Sequence, residues 1–143
     1  MIQTIKETSH YKLSIDKENN WIIVKAIGFW RSPEVVPNYL SEINEIITMR
    51  LRPKFMAVID ASDMLTHPKS VQEGVHLVGM QNLKKHKPAT LVVVMPQDEI
   101  SVMQAKHLGK VSQTEFLSFK SMAEAERYLE EFAKEHGLFP YQN

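Results

Sequence analysis

Tyr11, Leu13 and Ile15 alternate with Lys12, Ser14 and Asp16, the two-residue period of a half-exposed strand. Lys17-Glu18-Asn19-Asn20 is a polar turn, and Trp21 to Phe29 returns as the second strand of a predicted hairpin. Ile22, Val24 and Ala26 form one face of that strand. Trp21, Ile23, Ile27 and Phe29 form the other, interrupted only by Lys25. A strand apolar on both faces lies at the centre of a sheet or at a subunit contact. The central position is the simpler placement, and the contact would make the chain a homodimer.

The period then changes. Ser32-Pro33-Glu34 has the form of a helix start, although Pro37 would cost a second-turn helix one backbone bond and moves the regular start toward itself. Val36, Leu40, Ile43 and Ile47, with Tyr39 and Ile46 beside them, give a helical stripe ending at Arg50-Leu51-Arg52-Pro53. Phe55 to Ile59 is an unbroken apolar run, as expected of a strand buried on both faces, and it stops at Asp60-Ala61-Ser62-Asp63. After a turn at Thr66-His67-Pro68, Ser70-Val71-Gln72-Glu73 has capping-box spacing and opens a helix to about Lys85. Val71, Val75 and Val78 are its predicted inner face, and Gly74 and Gly79 are expected to let it pack closely on the sheet.

Ala89 to Met95 is the clearest strand. Pro96-Gln97-Asp98-Glu99 leads into a short helix through Ile100, Met103 and Leu108 to Gly109, and Phe116 to Phe119 is a last strand. Ser121-Met122-Ala123-Glu124 repeats the capping-box spacing, and His136-Gly137-Leu138 reads as a glycine-terminated end. The predicted order is β-β-α-β-α-β-α-β-α over residues 1–143. It defines a single α/β domain with a mixed, mostly parallel sheet packed with helices.

Composition narrows the function more by exclusion. A chain of 143 residues suits one domain with its own core. No cysteine is present, so disulfides, thiolate metal sites and a cysteine nucleophile are excluded. The seventeen basic and seventeen acidic side chains cancel, leaving no global drive toward nucleic acid. No stretch reaches the roughly 20 apolar residues of a membrane span. The early Glu7 and the lack of an apolar core near the start argue against a signal peptide, so a cytoplasmic location is expected.

In a largely parallel sheet, ligands sit outside the carboxyl ends of the strands. Four predicted loops gather there and carry Trp30, Arg31, Asp60, Ser62, Asp63, His67, Ser70 and Asp98, the candidate ligand- or partner-binding set. The helix start near Ser70, helped by Arg31, offers positive potential to a phosphate or carboxylate. The simpler reading is that Ser70 and Asp98 cap helices and that Asp60 to Asp63 form a hydrogen-bonded turn. The opposite edge collects Arg50, Arg52, Lys54, Lys84, Lys85, Lys87 and Lys110 near helix C-termini, where cations complement the helix dipole.

Catalytic material is thin. His67 with Ser62 and Asp60 allows a hydrolase to be imagined, but no Gly-x-Ser-x-Gly elbow is present. The six histidines share no metal-ligand spacing, and the five glycines form no phosphate loop. His76 and His107 read as surface or packing residues. A non-enzyme without metal or cofactor is expected.

The element order, with Val58-Ile59-Asp60-Ala61-Ser62 at a strand end, resembles the STAS domain of anti-sigma-factor antagonists and sulfate-transporter cytoplasmic regions. The likeness is nearer to divergent bacterial STAS-like proteins, a group that is also similar to small Sec14-type lipid-binding domains. In phosphoregulated members, Asp-x-Ser at the strand end precedes an Asp-Ser-Ser-Gly segment carrying the phosphoacceptor. Here Asp60 and Ser62 match the strand end and Ser70 falls near the acceptor position. The segment itself reads His67-Pro68-Lys69-Ser70-Val71, without the acidic residue, the paired serine or the glycine. The resemblance implies a non-catalytic regulatory module that binds a protein partner or itself. Its alternative is a carrier or sensor of a small anionic or apolar ligand, with Trp30, Phe29 and methionines lining a pocket.

Overall fold

The computed structural model describes residues 1–138. Six strands form one sheet in the order β1-β2-β3-β4-β5-β6: Ile2–Glu7, Tyr11–Asp16, Trp21–Gly28, Met56–Met64, Thr90–Val94 and Leu117–Phe119. The first two pairings are antiparallel and the other three parallel. Helix α1 is Tyr39–Arg50, α2 spans 69–85, α3 is Glu99–Ser112 and α4 is Met122–Glu135. A 3-10 turn, Pro33–Val35, precedes α1, so the regular helix begins beyond Pro37 as the proline requires.

The predicted order holds from β2 onward, and β1 is an addition. Its apolar Ile2 and Ile5 are three residues apart, because the register with β2 shifts between Thr4 and Lys6. That bulge turns Ile5 onto the core and removes the alternation by which an edge strand is recognised. The doubly apolar β3 is central, between β2 and β4. Each of its faces is covered within the chain, which removes the reason for placing it at a subunit contact.

Ile22, Val24, Ala57 and Leu91 pack on one face of the sheet against Ile43, Ile46 and Ile47 of α1 and Val71, Val75 and Leu83 of α2. Helix α3 lies beside α2. On the other face, Trp21, Ile23, Met56, Val58, Val92 and Val94 pack against Ala125, Leu129 and Ala133 of α4.

Helix α2 is not regular. Lys69–Val71 passes into a π-helical segment, Gln72–His76, before Leu77–Lys85 resumes the α form. The wider turn rotates the downstream face. Met80 and Leu83 therefore take the buried positions and Val78 is only half-buried. The glycines of this helix serve a helix contact and not the expected sheet contact. A Cβ on Gly79 would lie 3.3 Å from Leu40, and one on Gly74 would lie 3.5 Å from Pro33.

The two capping-box matches part ways. Ser121 accepts a hydrogen bond from the Glu124 N–H at 3.2 Å and caps α4. Ser70 caps nothing: Pro68 occupies the cap position, and Ser70 lies exposed in the first turn. Gly137, at φ +68°, terminates α4 with the Leu138 N–H on the Ala133 carbonyl at 2.7 Å, the expected glycine-terminated end. Helix α3 runs past Gly109 to Ser112, where Gln113 takes the left-handed conformation. Ser121→Ala should lower stability by about 1 kcal/mol in urea unfolding. Ser70→Ala should shift it by less than about 0.5 kcal/mol, whereas a loss equal to that of Ser121→Ala would restore Ser70 as a cap.

Candidate functional site

Strand β4 does not stop at Asp60. It continues through Asp60-Ala61-Ser62-Asp63 to Met64, and a bulge against β3 absorbs the polar residues: Lys25 pairs with Asp60, but Ile27 pairs with Asp63. Asp60 is buried and fills the bulge by accepting from the Ser62 N–H at 3.1 Å and the Ser62 hydroxyl at 2.6 Å. Ala61 points into the core and Asp63 reaches out to Lys25 at 2.9 Å. Asp63 accepts from the Lys25 ammonium and so raises its pKa. The expected turn is thus a bulged strand end.

Gly28 ends β3 at φ +71°, a conformation glycine adopts without strain. Its carbonyl accepts from the Leu65 N–H at 3.1 Å and from His67 Nε2 at 3.0 Å. His67 is 2% exposed and forms a triangle with two other rings, Trp30 lying across both imidazoles. Trp30 lies 5.0 Å away on one contact and His76 5.0 Å away on another, with His67 Nδ1 and His76 Nε2 separated by 2.8 Å. Trp30 is fully buried and donates its Nε1–H to the carbonyls of His10 and Ile27. It belongs to the core and not to an open pocket wall.

These contacts fix where the ring protons sit. A carbonyl only accepts, so His67 Nε2 carries hydrogen. With neutral rings, His67 Nδ1 is then an acceptor and His76 Nε2 must donate to it. Burial lowers the pKa of His67, and burial with the neighbouring His67 lowers that of His76 to about 3. Both rings are therefore neutral near pH 7.

The eight candidate residues do not converge. Trp30 and His67 share the ring stack, and Asp60 and Ser62 share the bulge. Asp98 caps α3 through the Ser101 N–H at 2.8 Å and also meets the Thr66 hydroxyl at 3.5 Å. Hydrogen bonds from Ser101 hold the Asp98 carboxyl below the usual range. Arg31 and Ser70 are exposed on separate segments. The imagined hydrolase arrangement is absent, because both nitrogens of His67 are engaged by Gly28 and His76 while Ser62 bonds Asp60.

Two features lie where the sequence pattern does not place them, and neither Trp30 nor Phe29 lines the pocket expected of them. Large apolar side chains stand exposed at the carboxyl edge: Phe29 at 53%, Leu65 at 55%, Ile100 at 63% and Met103 at 69%. Their segments are tied together by the Leu65–Gly28 bond, by Thr66 on Ser101 at 2.9 Å, and by Gln104 on both backbone groups of His67. The second feature is an apolar cavity of about 60 Å³ between the sheet and α1, α2 and α3. It is lined by Ile59, Ala61, Met64, His76, Met80 and Leu108 among others, and by none of the eight candidates. The regular stripe Val71-Val75-Val78 gave no sign that His76 turns inward.

No family model matches the chain, and no curated protein does. Among solved structures, an uncharacterized protein of the DUF3478 family with a SpoIIAA-like fold, from Shewanella loihica PV-4, is similar over 87% of this chain and 97% of its own. Its TM-score is 0.59 at 15% identity, a likeness of fold alone. The chain thus has the SpoIIAA-like, that is STAS-like, α/β fold that its element order implied. No helix among the described residues is long and apolar enough to cross a membrane.

The neutral histidine pair makes stability depend on pH with a definite sign. The unfolded chain protonates these histidines below about pH 6.5, while the folded chain resists protonation, so stability present above that pH is lost as pH falls. Urea unfolding at pH 7 and pH 5 should show a loss of about 2 kcal/mol from His76. His76→Phe should flatten that part of the dependence; an equally steep loss in the variant would exclude His76 as its source.

Proposed function

We propose that the protein is a non-catalytic interaction module whose carboxyl sheet edge docks a protein partner. The observation that carries this reading is the set of four exposed apolar side chains, Phe29, Leu65, Ile100 and Met103, on segments braced by Thr66, His67 and Gln104. Scattered surface apolar residues need no explanation, but several on one hydrogen-bonded edge favour a contact surface. The edge is held by backbone and cap bonds, so it presents these side chains without a folding cost on docking. The STAS-like resemblance points to the same class of role. A photo-crosslinker at Met103 should capture a defined partner, and Phe29→Asp should weaken that complex at least about tenfold while leaving the circular dichroism spectrum unchanged. Undiminished binding by Phe29→Asp and Met103→Asp would remove this edge from the interface.

The cavity supports a second reading, a sensor of a small apolar ligand. Near-wholly apolar cavities stay dry and accept small apolar molecules. Native mass spectrometry of protein from its own host should show a bound mass under gentle conditions. Apo protein alone would count against a tightly held ligand.

A further inference from the structure

The cavity is apolar but for two groups, and one of them has a fixed polarity. The chain of donors from His76 Nε2 to His67 Nδ1, and from His67 Nε2 to the Gly28 carbonyl, leaves His76 Nδ1 as a bare lone pair. Every other assignment fails. If His76 carried its proton on Nδ1, two lone pairs would face each other at 2.8 Å. If either ring held an extra proton, a charge would be buried among the apolar side chains of the stack.

His76 lines the cavity, and its Nδ1 makes no hydrogen bond among the described residues. It is also not among the side-chain atoms sealed from solvent without a partner, a group that among the described residues contains Trp21 Nε1 alone. The lone pair is therefore accessible, on a half-buried ring that lines the cavity. The other polar residue of the lining is Tyr39, whose phenol interacts with Tyr11, a residue outside the lining. No lysine, arginine or carboxylate lines the cavity, so nothing there balances a charged ligand.

We infer that the cavity selects a small neutral molecule that donates one N–H or O–H hydrogen bond to His76 Nδ1 and is otherwise apolar. The inference rests on the ligand reading above and assigns that site its polarity. At roughly 10–15 Å³ for each water-sized group, a cavity of this volume holds about four to six heavy atoms. A donor reaching Nδ1 exchanges one hydrogen bond with water for one in a low-dielectric site, while an acceptor there meets lone-pair repulsion. The same chain of bonds makes the discrimination indirect: the Gly28 carbonyl, which touches no ligand, determines what the cavity accepts.

Pyrrole and furan test this, being near-isosteric rings that differ in presenting an N–H or an oxygen lone pair. Titrated into the isotopically labelled protein and followed by NMR, pyrrole should bind about tenfold more tightly than furan. It should move the His76 ring resonances most, and long-range nitrogen–proton spectra of the free protein should show Nδ1 of His76 unprotonated. Equal binding of the two rings would overturn the polarity assignment and leave the cavity as a ligand site. A proton on His76 Nδ1 in the free protein would overturn it as well. Binding of neither ring would remove the ligand reading and this inference together.

Discussion

The carbonyl of Gly28 carries more of this structure than any side chain does. It stands at the end of a central strand, turned by a left-handed glycine, and accepts bonds from Leu65 and His67. Those two bonds set the path of the chain leaving β4. They also orient His67, so that Trp30 stacks on it, His76 bonds it edge to edge, and the segment before α2 is closed over the core. A neutral imidazole is costly to bury unless both nitrogens are satisfied. Here one carbonyl and one further imidazole satisfy it, so the ring cluster around the buried His67 depends on a single backbone acceptor.

Much of the fold was legible because its signals are collective. The stripe from Tyr39 to Ile47 and the runs at Phe55 and Ala89 each commit many side chains to one period, and no single exception disturbs them. The elements that the pattern hides or misplaces involve an inserted residue. The bulge in β1 breaks its alternation, the bulge at Asp60 to Asp63 makes a strand end look like a turn, and the π-helical segment moves Met80 inward in place of Val78. In each case the local pattern is intact on either side but offset across the insertion.

The site was less legible than the fold for a related reason. Polar residues near strand ends were the natural candidates, and most serve the backbone: Asp60 the bulge and Asp98 a helix cap. His67 stands out in the sequence by its position, but its partners, the Gly28 carbonyl and His76, are brought to it by tertiary structure. Ile100 and Met103 read, with Leu108, as the apolar positions of a short helix. They lie on its outer side, since α3 spends its buried face on Ser101, Leu108 and Ser112. Hydrophobic spacing marks a face but does not say whether a neighbour covers it.

The π-helical segment at Gln72–His76 has a consequence for how this chain tolerates change in length. A π turn is equivalent to one residue inserted into a regular helix, rotating the downstream residues by about 100°. Loss of one residue there would restore ideal helix geometry and so improve local backbone order. It would also swing Gly79 away from Leu40 and take His76 off the ring of His67. The helix is therefore held one residue away from its own optimum, and that single residue is what keeps Gly79 against Leu40 and His76 on His67.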